Sequence, residues 1–481
     1  MKRARTAVAL TFALGLCLRG ALAFPAASPA ELSKRLDDLL GKPWLKNVLF
    51  SVCITKAETG EVVYEKNPGL PLLPASNMKI ITSAAAMEYL GPDFAFVTRV
   101  GLSGDAVVVL GGGDPLLGDR ETDIRNGRRS HPVIQDVAAR IKGMGLTSVS
   151  DIILDTSVFD EQRVHPTWPL NQLHQKYACE VSGLNFNGNC VAITAVNRDG
   201  KLTVSQDPPN DYMKLVNAMT PGPRRISRFM VDRTGVPCQL LVEGVCGNQA
   251  GPYSVAVENP ALLFGHLLRD SLNKAGVRVT GQVLESSLAP GAEFRPAAEY
   301  RTSLGDCLQR MNKDSLGLAA EALFKMLGAR SHPDGKQGGW EDGRRVVSSY
   351  LKGLGLDDSD FTVADGSGLS RDNRLSAKAL NRVLTHLASG PTWEFFKSTL
   401  AVGGLDGTMK RHFWEKKYRG RVLAKSGYIM AVRALSGVVR TDSGDYLFSF
   451  LANQGGNGAR LTIDAAVKAV VDWAARPVFS H

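Results

Sequence analysis

Pro74-Ala75-Ser76-Asn77-Met78-Lys79 is the stretch on which the reading of this chain turns. It sets a serine and a lysine three residues apart at the start of a helix. Met78, Ile80, Ile81, Ala84, Ala85, Met87 and Leu90 follow as an apolar helical stripe, and Gly91-Pro92 supplies the stop. A helix brings positions i and i+3 onto one face, so the Lys79 amine reaches the Ser76 hydroxyl. Serine is a poor nucleophile until a neighbour takes its proton. A desolvated, charge-crowded lysine has its pKa lowered enough to do so. A serine in the first turn of a core helix also points its backbone N–H outward, as an oxyanion donor must.

Working outward, Lys425-Ser426-Gly427 lies near the C-terminus, just before a strand-like run. Alone, S-x-x-K is a weak signal, since a chain of this size carries about one by chance. The two motifs together point to a serine acyl-transferase whose base is a lysine. Eight scattered histidines nominate no partner for a Ser-His-Asp arrangement. No C-x-x-C and no clustered histidines offer a zinc site, so no metal and no cofactor is expected. Gly111 to Asp114 reads as a tight turn between strands, because no P-loop lysine follows it.

At 481 residues the chain is too long for one core and calls for two or three domains. Lys2, Arg3 and Arg5, the apolar run Thr6 to Leu18, and Ala21-Leu22-Ala23 read as a secretory signal over residues 1–23. The apolar run is too short for a stable membrane span. Cleavage there would remove four basic residues and lower the net charge from +10 to +6. That mild excess suits a carboxylate-bearing partner. No basic block with interleaved aromatics appears, so nucleic acid is not expected. Six cysteines would remain, Cys53, Cys179, Cys190, Cys238, Cys246 and Cys307. In an oxidising compartment some of them should pair, with Cys179/Cys190 and Cys238/Cys246 close in sequence.

Val48 to Thr55 and Glu61 to Tyr64 form a hairpin across Glu58-Thr59-Gly60, ahead of the Ser76 helix. From about Phe94 the pattern changes to short strands and glycine turns, interrupted by helices such as Val133 to Met144. After a linker-like stretch at Pro290 to Pro296 the chain turns helical again, over Ser315 to Leu327 and Gly339 to Leu351. It ends strand–turn–strand–helix. One consistent organisation is a helix-and-sheet catalytic domain built from both ends, residues 24–95 and 296–481, with a β-rich insertion over 96–295.

The segments LLPASNMKIITSAAAMEYLG, LGGGDPLL, ILDTSVFD, MNKDS, DGSGLSRDNRLS, VGGLDGTMKRHF and VLAKSGYI, in this order and spacing, carry a resemblance. The chain resembles the penicillin-binding-protein 4 type of D-alanyl-D-alanine carboxypeptidase/endopeptidase, the low-molecular-mass class C enzymes of peptidase family S13. The resemblance implies an α+β fold: a penicillin-binding/β-lactamase-like transpeptidase domain with antiparallel sheet and helices and a large β-rich insertion. It implies peptidoglycan stem peptides as substrate, β-lactams as inhibitors, and the periplasm as location.

Roles follow from it residue by residue. Ser76 would be the nucleophile, Lys79 its base, and Ser315 the relay to the leaving amine. Lys425 would hold Lys79 deprotonated by charge repulsion and attract the substrate carboxylate. Ser426, Gly427 and Tyr428 would line the substrate, with the Ser76 and Tyr428 N–H groups as the oxyanion hole. Arg371 and Asp155 would bind a diaminopimelate side chain. The chain departs from the pattern at its S-x-N motif, which reads Ser315-Leu316-Gly317, and at Ser426 and Tyr428, where Thr and a small hydroxyl residue are usual. The missing amide sets up an alternative, a catalytically impaired peptidoglycan-binding protein. A β-lactamase or esterase on the same scaffold is a further reading, but no water-activating carboxylate can be named for it. Asn312 to Ser315 also reads as a plain N-cap for the next helix, and Tyr177, Phe186 and Trp168 read as packing aromatics.

Overall fold

The computed structural model describes residues 28–127, 133–332 and 337–474; the signal-like segment 1–23 lies outside them. The organising element is a six-stranded antiparallel sheet in the order Ala401–Val402, Val422–Ile429, Val432–Thr441, Gly444–Asn453, Leu49–Lys56, Val62–Lys66. Both chain ends meet in it, because Leu49–Lys56 pairs with Gly444–Asn453 from Leu49↔Asn453 to Lys56↔Tyr446.

Leu49–Lys56 and Gly444–Asn453 are covered on both faces, so they read as largely apolar runs rather than alternating ones. In Gly444–Asn453, Phe448 and Phe450 face a core closed by the terminal helices Pro29–Leu40 and Asn457–Ala474. Leu447 and Leu451 face the opposite core, built from the helices Met78–Tyr89, Gly317–Arg330 and Ala377–Ser389.

The Met78–Tyr89 helix runs through this second core. Every residue from Met78 to Met87 is buried, Lys79, Thr82 and Ser83 included, so the expected one-sided stripe becomes an all-round burial. Its polar residues are paired: Thr82 Oγ1 donates to Gly366 O at 2.7 Å and Ser83 Oγ to Lys79 O at 2.7 Å.

A second body leaves along Ala95–Ser103 and returns along Arg295–Ser303. These two strands pair antiparallel from Ala95↔Ser303 to Leu102↔Arg295 and form a stem. They belong to a five-stranded sheet packed under the helices Val133–Gly143 and Pro260–Lys274, with two small three-stranded sheets beyond. Residues between 156 and 190 come back from this body. Phe159, Trp168, Ala178, Cys179 and Val181 join the core around the Ser76 helix.

The expected cysteine pairing is not found: Cys53, Cys179, Cys190, Cys238, Cys246 and Cys307 are all free thiols. For Cys238 and Cys246 the reason is geometric. They bracket the extended strand Gln239–Cys246, and at about 3.3 Å per residue closeness in sequence becomes a separation no disulfide spans.

Candidate active site

Ser76 lies in a 3₁₀ turn, Ala75–Asn77, that runs directly into the Met78–Tyr89 helix. Ala75 adopts a left-handed backbone (φ 45°), a conformation a non-glycine residue keeps only where its surroundings enforce it. They do so here. Gly368 packs so closely that a Cβ on it would stand 1.8 Å from the Ala75 carbonyl oxygen.

Lys79 Nζ lies 3.0 Å from Ser76 Oγ and donates to Ser367 O at 2.8 Å. Burial drives the Lys79 pKa down to about 8, against the pull of the Glu321 and Asp365 carboxylates, which favour its charged form. Lys425 was expected to hold Lys79 deprotonated by repulsion. Desolvation by burial is the largest cause at both lysines, and the two amines repel each other. Lys425 is fully buried and is pushed well below its usual value by burial and then by Lys79.

Lys425 sits on Val422–Ile429, and its Nζ donates to Ser315 Oγ at 2.9 Å and to Ser426 O at 2.7 Å. Ser315 also has a left-handed backbone (φ 61°). It follows the helix Leu304–Lys313 and precedes Gly317–Arg330, whose N-cap is Leu316 with no side-chain cap. Capping therefore does not explain Ser315; its hydroxyl faces Lys425.

The strand and the serine turn are locked together by Asn77 Nδ2, which donates to Lys425 O at 2.9 Å. Gly427 permits that approach, since a Cβ there would meet Pro74 O and Ala434 Cβ, each at 2.9 Å. Strand alternation puts Lys425 and Gly427 on one face of the strand and Ser426 and Tyr428 on the other. Ser426 Oγ donates to Thr408 Oγ1 at 2.8 Å. The Tyr428 ring is 67% exposed and carries the Arg433 guanidinium 4.1 Å from its centroid. The bulky ring at this position is thus turned away from Lys425.

Arg371 is exposed beside the turn after the lysine strand, where its Nη1 donates to Met430 O at 3.3 Å. Asp155 belongs to the inserted body. It is buried at the end of Ile152–Asp155, and its carboxylate accepts from Ser157 N at 2.9 Å and Leu288 N at 2.8 Å. Both oxygens hold main chain of the inserted body.

Gly317, the position of the missing amide, opens its helix with the Tyr177 carbonyl packed over it, 3.2 Å from where a Cβ would be. Its presence does not disturb the Ser315–Lys425 contact. Sequence reasoning missed Ser367, Glu321, Asp365, Asn77 and Thr408. Asn77 stands in LLPASNMK, Ser367 and Asp365 in the DGSGLSR segment and Thr408 in VGGLDGTMKRHF, so a signal existed for those four.

Two motifs widely separated in sequence thus meet as a serine–lysine pair facing a lysine–serine pair, the arrangement of a serine hydrolase with a lysine base. Residues 32–476 match the D-Ala-D-Ala carboxypeptidase 3 (S13) family, and the chain belongs to that family. It is accordingly an enzyme, a peptidase of the hydrolase class.

Among its relatives is the D-alanyl-D-alanine carboxypeptidase of Actinomadura sp. (strain R39), 30% identical over 464 residues, 91% of this chain and 84% of that protein. The D-alanyl-D-alanine carboxypeptidase DacB of Haemophilus influenzae is 24% identical, covering 80% of this chain and 81% of its own length. The crystal structure of penicillin-binding protein 4 (dacB) from H. influenzae superposes with a TM-score of 0.77 at 21% identity, over 91% of this chain and 99% of that one. The fold is the one expected. The impaired-binder alternative drawn from Gly317 gains no support from these relatives.

Proposed function

We propose that this enzyme hydrolyses the D-Ala-D-Ala terminus of peptidoglycan stem peptides, and D-centred cross-links between them, through an acyl-enzyme on Ser76, and that β-lactams acylate the same serine. The observation that carries the reading is the 3.0 Å contact between Ser76 Oγ and a buried Lys79 whose pKa is lowered to about 8.

In this mechanism neutral Lys79 takes the Ser76 proton as Oγ attacks the scissile carbonyl. The Ser76 and Tyr428 backbone N–H groups receive the developing oxyanion. Ser315, held by Lys425, passes a proton to the departing D-alanine amine. Water then attacks the ester with the same groups in reverse. Lys425 and Ser426 attract the terminal carboxylate, charge-assisted on the lysine side. Gly427 keeps the strand close to the serine, and Arg371 at the cleft edge binds an anionic group of the peptide side chain.

The two halves 24–95 and 296–481 carry this machinery, with 96–295 as the insertion. The related H. influenzae protein was solved in complex with a β-lactam, which supports the inhibitor class. The basic and apolar N-terminus supports export to the periplasm. Among the described residues no helix is long and apolar enough to cross a membrane.

The test is labelling with a fluorescent penicillin, alongside release of D-alanine from a pentapeptide ending in D-Ala-D-Ala. A labelled band that disappears in Ser76→Ala, together with D-alanine release, is the expected result. An unlabelled wild-type protein at all penicillin concentrations overturns the reading.

A further inference from the structure

Glu321 takes no part in the mechanism above, yet it is 1% exposed in the core of the site. Its Oε2 accepts from Trp340 Nε1 at 2.8 Å and from Gly366 N at 3.0 Å, and its Oε1 accepts from Ser367 N at 2.7 Å. The carbonyls of the same two residues face the serine helix: Gly366 O accepts from Thr82 Oγ1 at 2.7 Å, and Ser367 O from Lys79 Nζ at 2.8 Å. One buried carboxylate therefore grips the amide side of a two-residue segment whose carbonyl side grips the lysine.

We propose that Glu321 is a positioning residue for Lys79: it fixes the Ser367 carbonyl that orients the amine, and its negative charge sets how readily that amine gives up its proton. The inference rests on the reading of Lys79 as the base of Ser76.

Three donors converge on Glu321, so a carboxylate is required there. A glutamine would turn its own NH₂ against one of them. Of the two carboxylates that act on Lys79, Glu321 is the one bonded to the segment that holds the amine. Asp365 is committed to Trp168 Nε1, Gly368 N, Ser370 N and Asn373 Nδ2. Lys325, one turn along the same helix, is bonded to Asp160 at 2.6 Å. His165, beside Asp365, holds Ala364 O and Thr167. Lys425, with Asp314 in its field, faces Lys79 from the strand. Burial and Asp365 raise the Glu321 pKa to about 7, so the carboxylate is charged in the range where Lys79 deprotonates.

The experiment is the pH profile of penicillin acylation for the wild type, Glu321→Gln and Trp340→Phe, each followed by a thermal melt. Removing the negative charge makes Lys79 easier to deprotonate, so the acidic limb of Glu321→Gln should move to lower pH by about one unit. Trp340→Phe deletes a donor that favours the charged carboxylate, so more of Glu321 stays protonated and the limb should move the same way by less. Limbs superimposable on the wild type, with only a lower melting temperature or a uniformly lower rate, would reduce Glu321 to a structural residue and overturn the proposal. If Glu321→Gln does not fold, the Trp340→Phe limb decides in the same two directions. Failure of the wild type to label speaks against Ser76 and Lys79 themselves. A labelled wild type with unmoved variant limbs speaks against Glu321 alone.

Discussion

Lys79 Nζ stands 3.0 Å from Ser76 Oγ across one turn of chain, with the amine buried and the hydroxyl partly open. The N-cap of the helix that follows is Asn77, not Ser76. Ser76→Ala should therefore abolish penicillin labelling and peptide turnover while changing stability by no more than about 1 kcal/mol. Intact-mass analysis of the adduct and a denaturant melt check both halves. An adduct on a different serine would contradict the assignment.

The same contact fixes a pH dependence. Below about 8 Lys79 holds its proton and cannot accept one from Ser76; above it the amine is free. Acylation should rise with pH through this value, opposite to the behaviour of a group that must be protonated. Lys79→Arg keeps the charge but does not deprotonate in proteins. It should fall to background acylation at every pH up to 10, measured by stopped-flow quenching.

The serine–lysine pair was legible in the sequence because i, i+3 spacing is a local geometry that any helix enforces, and the family segments brought Lys425 to it. What surrounds the pair was less legible. Glu321 meets Gly366 and Ser367 across 45 and 46 positions, a relation that no local pattern encodes. The two backbone amides that Asp155 accepts from, Ser157 and Leu288, were not legible either, since Leu288 lies 133 positions away.

Ser315→Ala removes the oxygen that Lys425 Nζ holds at 2.9 Å. Because Ser315 caps nothing, its loss should be kinetic rather than structural. We expect acylation to slow by about 10²-fold with a melting temperature within a few degrees of the wild type. A large loss of stability with little loss of rate would return Ser315 to a structural role.

Gly427→Ala tests the approach of strand to serine. The added methyl meets Pro74 O and Ala434 Cβ at 2.9 Å, and neither is the free end of a flexible side chain. Overpacking of this kind costs about 1–3 kcal/mol. The displacement falls on the strand carrying Lys425, so labelling should weaken at least tenfold in protein that still melts cooperatively. Gly353→Ala, where a Cβ meets nothing within 4 Å, is the matched control and should change neither quantity.

Gly317 is the most informative position to restore. The usual amide of the S-x-N motif would start from its Cβ, two residues beyond Ser315, at the first turn of Gly317–Arg330. Gly317 has no positive φ, so an L side chain is compatible with the backbone, and its Cβ would meet only the Tyr177 peptide, with the oxygen at 3.2 Å and the carbon at 3.9 Å. That contact asks the Tyr177 carbonyl to yield by a few tenths of an ångström, at a turn whose ring is half exposed. Gly317→Asn should then fold and acylate faster, by up to about 10²-fold if the amide supplies one well-placed donor. Pairing it with Gly317→Ala separates the two effects, because alanine adds the crowding without the donor and should slow acylation or leave it unchanged. A faster asparagine and an unimproved alanine would show that this chain works with one substrate contact missing. If asparagine is no faster than glycine in a correctly folded protein, the site does not depend on an amide at position 317.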